Sequence, residues 1–269
     1  MAERKRMMPR ARRKAGQGFR RGRVRPEQTD SGQRLFDRGD RARDHGRFAA
    51  AELWYRKSLA LRKKLFGPQH AAVAQSMNRL ASLLLEQGRS AEAEPLYRES
   101  LAVRKRVLGP IHRDIAASLS NLANLLQTTG RRAEAKRLYR QSLKMRMKVY
   151  GRMHENVAMC LMNIAIFLQN TGQNAKAEVH FHKALAMLEK TVGSTHESTA
   201  YAKANLADFF RLTGRVTEAL PLAREADRDL RRKLPPGHRF ARWARDVLRN
   251  ASKSAADPSR RSRKARGCA

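Results

Sequence analysis

His70, His112, His154, His196 and His238 stand 42 residues apart, and the residues around them keep the same step. Gly46, Gly88, Gly130, Gly172 and Gly214 fall in one column, and Ala51, Ala93, Ala135, Ala177 and Ala219 in another. Four residues further on come Tyr55, Tyr97, Tyr139 and Phe181, with Ala223 closing the series. Earlier in each unit lie the pairs Leu80-Ala81, Leu122-Ala123, Ile164-Ala165 and Leu206-Ala207. A repeat of this length constrains the fold more than any other feature, because one unit is one supersecondary element that must stack on its neighbours.

Each unit reads as two helices. In SLSNLANLLQTTG (118–130), Leu119, Leu122, Ala123 and Leu126 recur at three and four residues, the spacing of an apolar helical face. Asp114, Asn156 and Ser198 share a column at its start, and such side chains accept an orphan backbone N–H, so they are the expected N-caps. The glycine column ends this helix, where a left-handed residue is cheapest as glycine. The second helix runs through AEAKRLYRQSLKMRMKVY (133–150), with Ala135 permitting close approach and Tyr139, Leu143 and Met147 as the apolar stripe. Helix pairs of fixed length cannot bury their apolar faces alone, so they stack into a solenoid with a concave face. The expected fold class is all-α, an α-solenoid of stacked antiparallel helix pairs. Recurrence at every joint makes the histidines packing or turn-closing residues rather than catalysts.

The segments NRLASLLLEQGRSAEAEPLYRESLAVRKRVLGP (78–110) and NLANLLQTTGRRAEAKRLYRQSLKMR (121–146) resemble tetratricopeptide repeats (TPR) of the 42-residue kinesin light chain and nephrocystin-3-like type. The resemblance covers about residues 30–250. It implies a right-handed TPR superhelix whose first helices line the concave groove and whose second helices form the convex back. The solenoid is expected over 29–250, in units of about 31–66, 67–108, 109–150, 151–192 and 193–234 with a capping helix at 238–250, where Arg249 replaces the small residue. Unit one keeps Gly39, Gly46, Ala51 and Tyr55 but lacks the Leu-Ala pair. The place after each histidine, often proline in the family, holds Ala71, Arg113, Glu155 and Glu197, and Pro95 falls early in a second helix, where only the first turn or a slight bend tolerates it.

On that fold the groove is lined by Asn78, Asn121, Asn124, Gln127, Met159, Met162, Asn163, Ile166, Tyr201, Asn205 and Arg211. Asn121, Asn163 and Asn205 share a column, and an amide offers both donor and acceptor to a peptide backbone. Two readings stay open for them: peptide contacts, as related repeats make, or hydrogen bonds that fix the repeat geometry. Gln75, Ala117 and Met159 stand where a chaperone-type clamp would need lysines, so that mode is not expected. The resemblance implies a protein or peptide partner, here one of acidic character with an apolar anchor opposite Met159, Met162 and Ile166. The heptad coiled coil by which light chains join their motor does not occur in this sequence.

Charge supports a second class of partner. The 269 residues hold 58 Lys/Arg against 24 Asp/Glu, a net charge of +34. Such an excess attracts polyanions whatever the fold. Residues 1–28 read as a basic disordered arm and 251–269 as a basic disordered tail, which nominates Arg12, Arg13, Lys14, Arg20, Arg21, Arg260, Arg261, Arg263 and Lys264 for polyanion contacts. An RNA- or polyanion-associated role through these segments is the alternative to a peptide-binding scaffold, although aromatic residues are only 6% and no RRM, KH or zinc-finger signature occurs. No P-loop, HExxH or zinc-ligand spacing is found, and no convergent catalytic set, so neither enzyme activity nor a metal or cofactor is expected. Two cysteines, Cys160 and Cys268, make no disulfide framework, and no apolar run spans a bilayer. An intracellular protein follows, cytoplasmic first and nuclear as the alternative. Oligomeric state is left open.

Overall fold

The computed structural model describes residues 26–256, with side chains from Asp30 onward. Among the described residues there are eleven helices and no strand. They are α1 (Pro26–Asp44), α2 (Phe48–Phe66), α3 (Ala71–Glu86), α4 (Ser90–Val107), α5 (Arg113–Thr128), α6 (Arg132–Tyr150), α7 (Glu155–Asn170), α8 (Asn174–Val192), α9 (Glu197–Leu212), α10 (Val216–Lys233) and α11 (Arg239–Ala256). Each odd helix packs against the even one that follows, giving five antiparallel pairs, and α11 covers α9 and α10. The first helices of successive units also touch, α3 with α5, α5 with α7 and α7 with α9, which crowds them on the inside of the curve and splays the second helices outside.

The columns of the repeat are the core. All five column alanines, Ala51 to Ala219, are fully buried, as are Tyr55, Tyr97, Tyr139 and Phe181. Gly39 stands where later units carry Ala81, Ala123, Ala165 and Ala207. A Cβ there would lie 2.5 Å from the Tyr55 ring, so unit one needs its smaller residue. Leu143 and Met147 depart from the expected stripe: both are half-exposed, and α6 buries Ala135, Leu138, Tyr139 and Ser142 instead. For Met147 the cause is helical geometry, since each four-residue step overshoots a full turn by about 40°. Two steps past Tyr139 the side chain has left the core.

Buried polar side chains tie these layers together, and they too repeat. Ser58, Ser100 and Ser142 donate to the carbonyls of Gly32, Ala74 and Ala116 on the first helix of their own unit, at 2.9, 2.7 and 2.7 Å. One turn later Arg62, Arg104 and Arg146 reach forward into the next unit. Arg104 donates to the Asp114 carbonyl at 2.9 Å and to the Ser118 hydroxyl at 2.7 Å. Arg62 meets Ala72 O and Ser76 Oγ in the same way, and Arg146 meets Asn156 O. Burial holds the Arg62 and Arg104 pKa values below the ordinary guanidinium value.

The punctuation of the helices differs from expectation at one end. At the C-termini the glycines behave as expected: Gly88, Gly130, Gly172 and Gly214 have φ between 76° and 82°. Arg89 N–H returns to Leu84 O and Gly88 N–H to Leu85 O, the pair of bonds that satisfies the last carbonyls of α3. At the N-termini the cap is the histidine itself, not the Asp114, Asn156 and Ser198 column. Nδ1 of His70, His112, His154, His196 and His238 accepts the backbone N–H two residues on, at 3.0–3.3 Å. The His112 Nδ1 occupies the acceptor position, and Asp114 contributes instead as an acidic residue in the first turn. Replacing His112 by alanine is expected to cost about 1 kcal/mol, and by asparagine only a fraction of that. Amide exchange at Asp114 should then quicken roughly fivefold in the alanine variant and little in the other.

Two boundaries move outward. The first helix begins at Pro26 rather than near residue 31, and α11 continues to Ala256 rather than ending near 250. Ala241, Ala244, Val247 and Ala251 carry the apolar stripe past the expected end, and Ala251 is fully buried. Residues 251–256 are therefore helix and not tail.

Candidate binding groove

The structure divides the residues expected on the concave face. Asn121 Nδ2 donates to Asn78 Oδ1 at 3.3 Å, joining α5 to α3, and Asn78 is buried. Asn205 Nδ2 donates to the Tyr201 carbonyl of its own helix at 2.9 Å. Asn124 and Gln127 both accept from the Tyr139 hydroxyl. Arg211 pairs with Asp208 one turn away, at 2.7 Å. Met162 is a correction: it is fully buried in the core and is not a groove residue. Ile166 is packed partly against that core.

A second column explains Asn124. Fifteen residues before each core aromatic sits its hydroxyl partner: Asp40 for Tyr55, Ser82 for Tyr97 and Asn124 for Tyr139. In the fourth unit the aromatic is Phe181, and the matching position is the apolar Ile166. Donor and acceptor disappear together. Burial raises the phenol of all three tyrosines, that of Tyr97 to about 12, so the hydroxyls are donors at any ordinary pH.

Met159, Asn163 and Tyr201 have a different surrounding. They line a cavity of about 370 Å³, whose wall also includes Leu230, Leu234 and Phe240. Polar groups on it are Asn163, Ser198, Asp44, Glu197 and His238. The Tyr201 ring stands edge-on to Phe240, centroids 5.3 Å apart, and tilts on Trp243 at 5.2 Å. Asn163 is half-exposed in this wall.

The cavity exists because the two ends of the array meet. The start of α11 lies against the ends of α1 and α3: Arg239 donates to both oxygens of Glu86, 153 positions earlier, at 2.8 and 2.9 Å. Arg43 binds the same carboxylate from α1. His238 Nε2 lies 3.9 Å from Asp44 Oδ1. These two arginines hold the Glu86 pKa below the ordinary carboxylate value. A depressed carboxylate contributes stability above its unfolded pKa and loses it as pH falls through the folded value. Acidification below about pH 4 is therefore expected to release the end-to-end contact and expand the particle, read as a rise in the radius of gyration by solution scattering.

The basic residues nominated at the two ends, Arg12 to Arg21 and Arg260 to Lys264, lie outside the described residues. No group of His, Cys, Asp and Glu able to hold a metal ion occurs among the described residues, and no described helix is long and apolar enough to cross a membrane. Cys160 is buried with its thiol pushed up by desolvation. Iodoacetamide is expected to modify Cys160 only in denaturant, as peptide mass mapping would show.

Stacked helix pairs around a concave face, with histidines capping the first helices, define a helical-repeat solenoid. Its family is shown by sequence: the tetratricopeptide repeat model matches residues 35–106, 74–148, 114–168 and 156–226, and the chain belongs to that family. It is an interaction module and not an enzyme. No curated protein matches. Among solved structures the fold is shared with a putative kinesin light chain of Podosopora anserina with nearly identical TPR-like repeats, at 23% identity and TM-score 0.56, covering 78% of this chain and 98% of that one. BtubC (BKLC) from P. vanneervenii is 22% identical over 81% of this chain and 85% of its own, TM-score 0.56. A Rap protein complexed with competence and sporulation factor aligns at 14% identity and TM-score 0.66, over 84% of this chain and 60% of its own.

Proposed function

We propose that this protein is a scaffold that binds a peptide segment of a partner in its concave groove, with an apolar side chain of that segment anchored in the cavity between α7, α9 and α11. The observation that carries this reading is the cavity itself. It is large enough for a bulky aliphatic or aromatic residue, walled mainly by apolar groups, and equipped with Asn163, whose amide is not committed to the array as those of Asn121 and Asn205 are. A mostly apolar pocket with a few convergent polar groups is the usual form of a binding site. The Rap neighbour was solved in complex with competence and sporulation factor, which supports a binding role for a solenoid of this kind.

The charge of the segment is set locally. Asp44 and Glu197 face the cavity, so next to the anchor a neutral or basic residue is favoured over the acidic one that overall charge suggests. An acidic stretch, if the partner has one, meets the basic body elsewhere and chiefly quickens association. Polyanion binding through the two arginine-rich ends is the second reading, supported by composition alone.

The test is selection from a random-peptide library at near-physiological salt, followed by anisotropy titration. Asn163→Ala is expected to weaken the selected peptide about tenfold with thermal unfolding little changed, and Tyr201→Ala to weaken it about as much while also loosening the packing of α11 on α9. Unaltered affinity in both would sink the groove reading.

A further inference from the structure

Three of the four joints between successive second helices are closed by the same ion pair. Arg89 reaches Glu52 at 2.7 Å, Arg131 reaches Glu94 at 2.6 Å, and Arg215 reaches Glu178 at 2.7 Å. At the joint between α6 and α8 both partners are exchanged: Gln173 stands in the arginine column and Lys136 in the glutamate column. Gln173 bonds to Thr171 and Lys176 instead, and Lys136 has no acidic partner among the described residues. What the pair covers elsewhere is here an open cleft of about 310 Å³ on the convex side.

Its floor is apolar: Leu143, Ile164 and Phe167. The repeat shows how unusual that is. Leu80, Leu122 and Leu206, which share a column with Ile164, are all but fully buried, whereas Ile164 is half-exposed. Leu143 is half-exposed, as Leu59 is in the same column, whereas Leu101 and Leu185 are buried, so Ile164 is the residue that sets this joint apart. Its rim is cationic, with Lys136 and Arg140 from α6 and Lys176 from α8. The row continues along α6 at four-residue steps, Lys136, Arg140, Lys144 and Lys148, about 6 Å apart along the axis, flanking Leu143 and Met147. None of the four has an ion-pair partner among the described residues.

We infer that this convex cleft docks an acidic amphipathic helix of a second protein partner, distinct from the segment held in the concave groove. Its carboxylates meet Lys136, Arg140 and Lys144, supplying in trans the charge that Glu52, Glu94 and Glu178 supply in cis at the other joints. Its apolar stripe fills the floor over Leu143 and Ile164. A helix laid in a groove matches both features at once, since glutamates and leucines at three- and four-residue spacing reproduce the lysine row and the apolar floor side by side. A polynucleotide would use the charge and leave the apolar floor uncovered, and of the rings on the cleft's lining Tyr139 and Phe167 are buried, which leaves only the His180 imidazole to stack a base.

The full chain is titrated with a short synthetic helix bearing a Leu/Phe stripe flanked by glutamates and a benzophenone group, at near-physiological salt. The comparison protein is Lys136→Glu with Gln173→Arg, which installs the ion pair present at the other joints and should leave the melting temperature equal or higher. Peptide affinity is expected to fall about tenfold in it, because a rim cation becomes a carboxylate and the restored pair covers the floor. Photocrosslinks in the natural chain should land on α6 or α8. Equal affinity for the two proteins overturns the proposal, as do crosslinks confined to the concave face or to the arginine-rich ends. Polyuridine run in parallel should bind both proteins alike; binding of polyuridine that the double substitution abolishes while peptide binding persists replaces the helix by a nucleic acid. Should the double variant melt lower, Lys136→Ala takes its place in the same assay: weaker peptide binding supports the cleft, and unchanged binding overturns it.

Discussion

Replacing Tyr139 by alanine is expected to destabilise the solenoid by about 3–5 kcal/mol, the range for removing a large aromatic from a packed core. Its ring is buried between units three and four, tilted on Phe167 with centroids 5.4 Å apart, and its hydroxyl satisfies Asn124 and Gln127. Stability in such an array is a sum of units and nearest-neighbour interfaces. The loss should therefore be local: hydrogen exchange quickens sharply in α5, α6 and α7 and much less in α1 and α2. Tyr139→Phe separates ring from hydroxyl. It should cost about 1 kcal/mol, the value of one hydrogen bond whose acceptors can turn to water. Unit four, with Phe181 over Ile166, already shows the array accepting a phenylalanine when the polar partner goes too.

The second large effect is expected at Arg104. Its side chain is almost completely buried, and truncation to alanine removes the packed stem and leaves the buried Ser118 hydroxyl and the second lone pair of the Asp114 carbonyl without their donor. Lost packing and unmet buried acceptors together should cost about 3–5 kcal/mol. Leucine is the informative comparison, because Leu188 and Leu230 occupy the same column in later units and are buried there. Arg104→Leu restores most of the packing and still leaves the acceptors unmet, so it should lose about half as much. Both values come from the shift in urea midpoint at constant slope. Equal losses for the two substitutions would mean that the hydrogen bonds, not the packing, dominate.

Most of the architecture is legible in the sequence because it rests on columns. Small residues and aromatics repeated every 42 positions have one physical explanation, a stacked core, and the glycines can end helices in one conformation. The first-helix caps are legible too, although residue type alone points to the wrong column. Asp114, Asn156 and Ser198 are better capping types than histidine in general, yet Ala72 shares their column and cannot cap, while histidine is present at all five joints. The groove is harder. Asn124 looks like a ligand contact when one helix is read alone. Reading Tyr139 fifteen residues later shows the pairing, since Asp, Ser, Asn and Ile accompany Tyr, Tyr, Tyr and Phe.

Met162 misleads for a related reason. A methionine between Met159 and Asn163 sits near the edge of the apolar face, and only the packing of the unit decides which side it joins. The contact of Arg239 with Glu86 has no sequence signal at all. It depends on how far the superhelix turns over five units, a sum of small rotations that no single column encodes. The joint at Lys136 and Gln173 is visible as a break in two columns, but its meaning depends on knowing that those columns touch.

Hydrogen exchange of the full chain with and without a library-selected peptide tests the concave groove most directly. Protection is predicted in α7 and α9 around Met159, Asn163 and Tyr201 and at the start of α11 around Phe240. Protection that leaves these segments unchanged and appears only in the arginine-rich ends would contradict it.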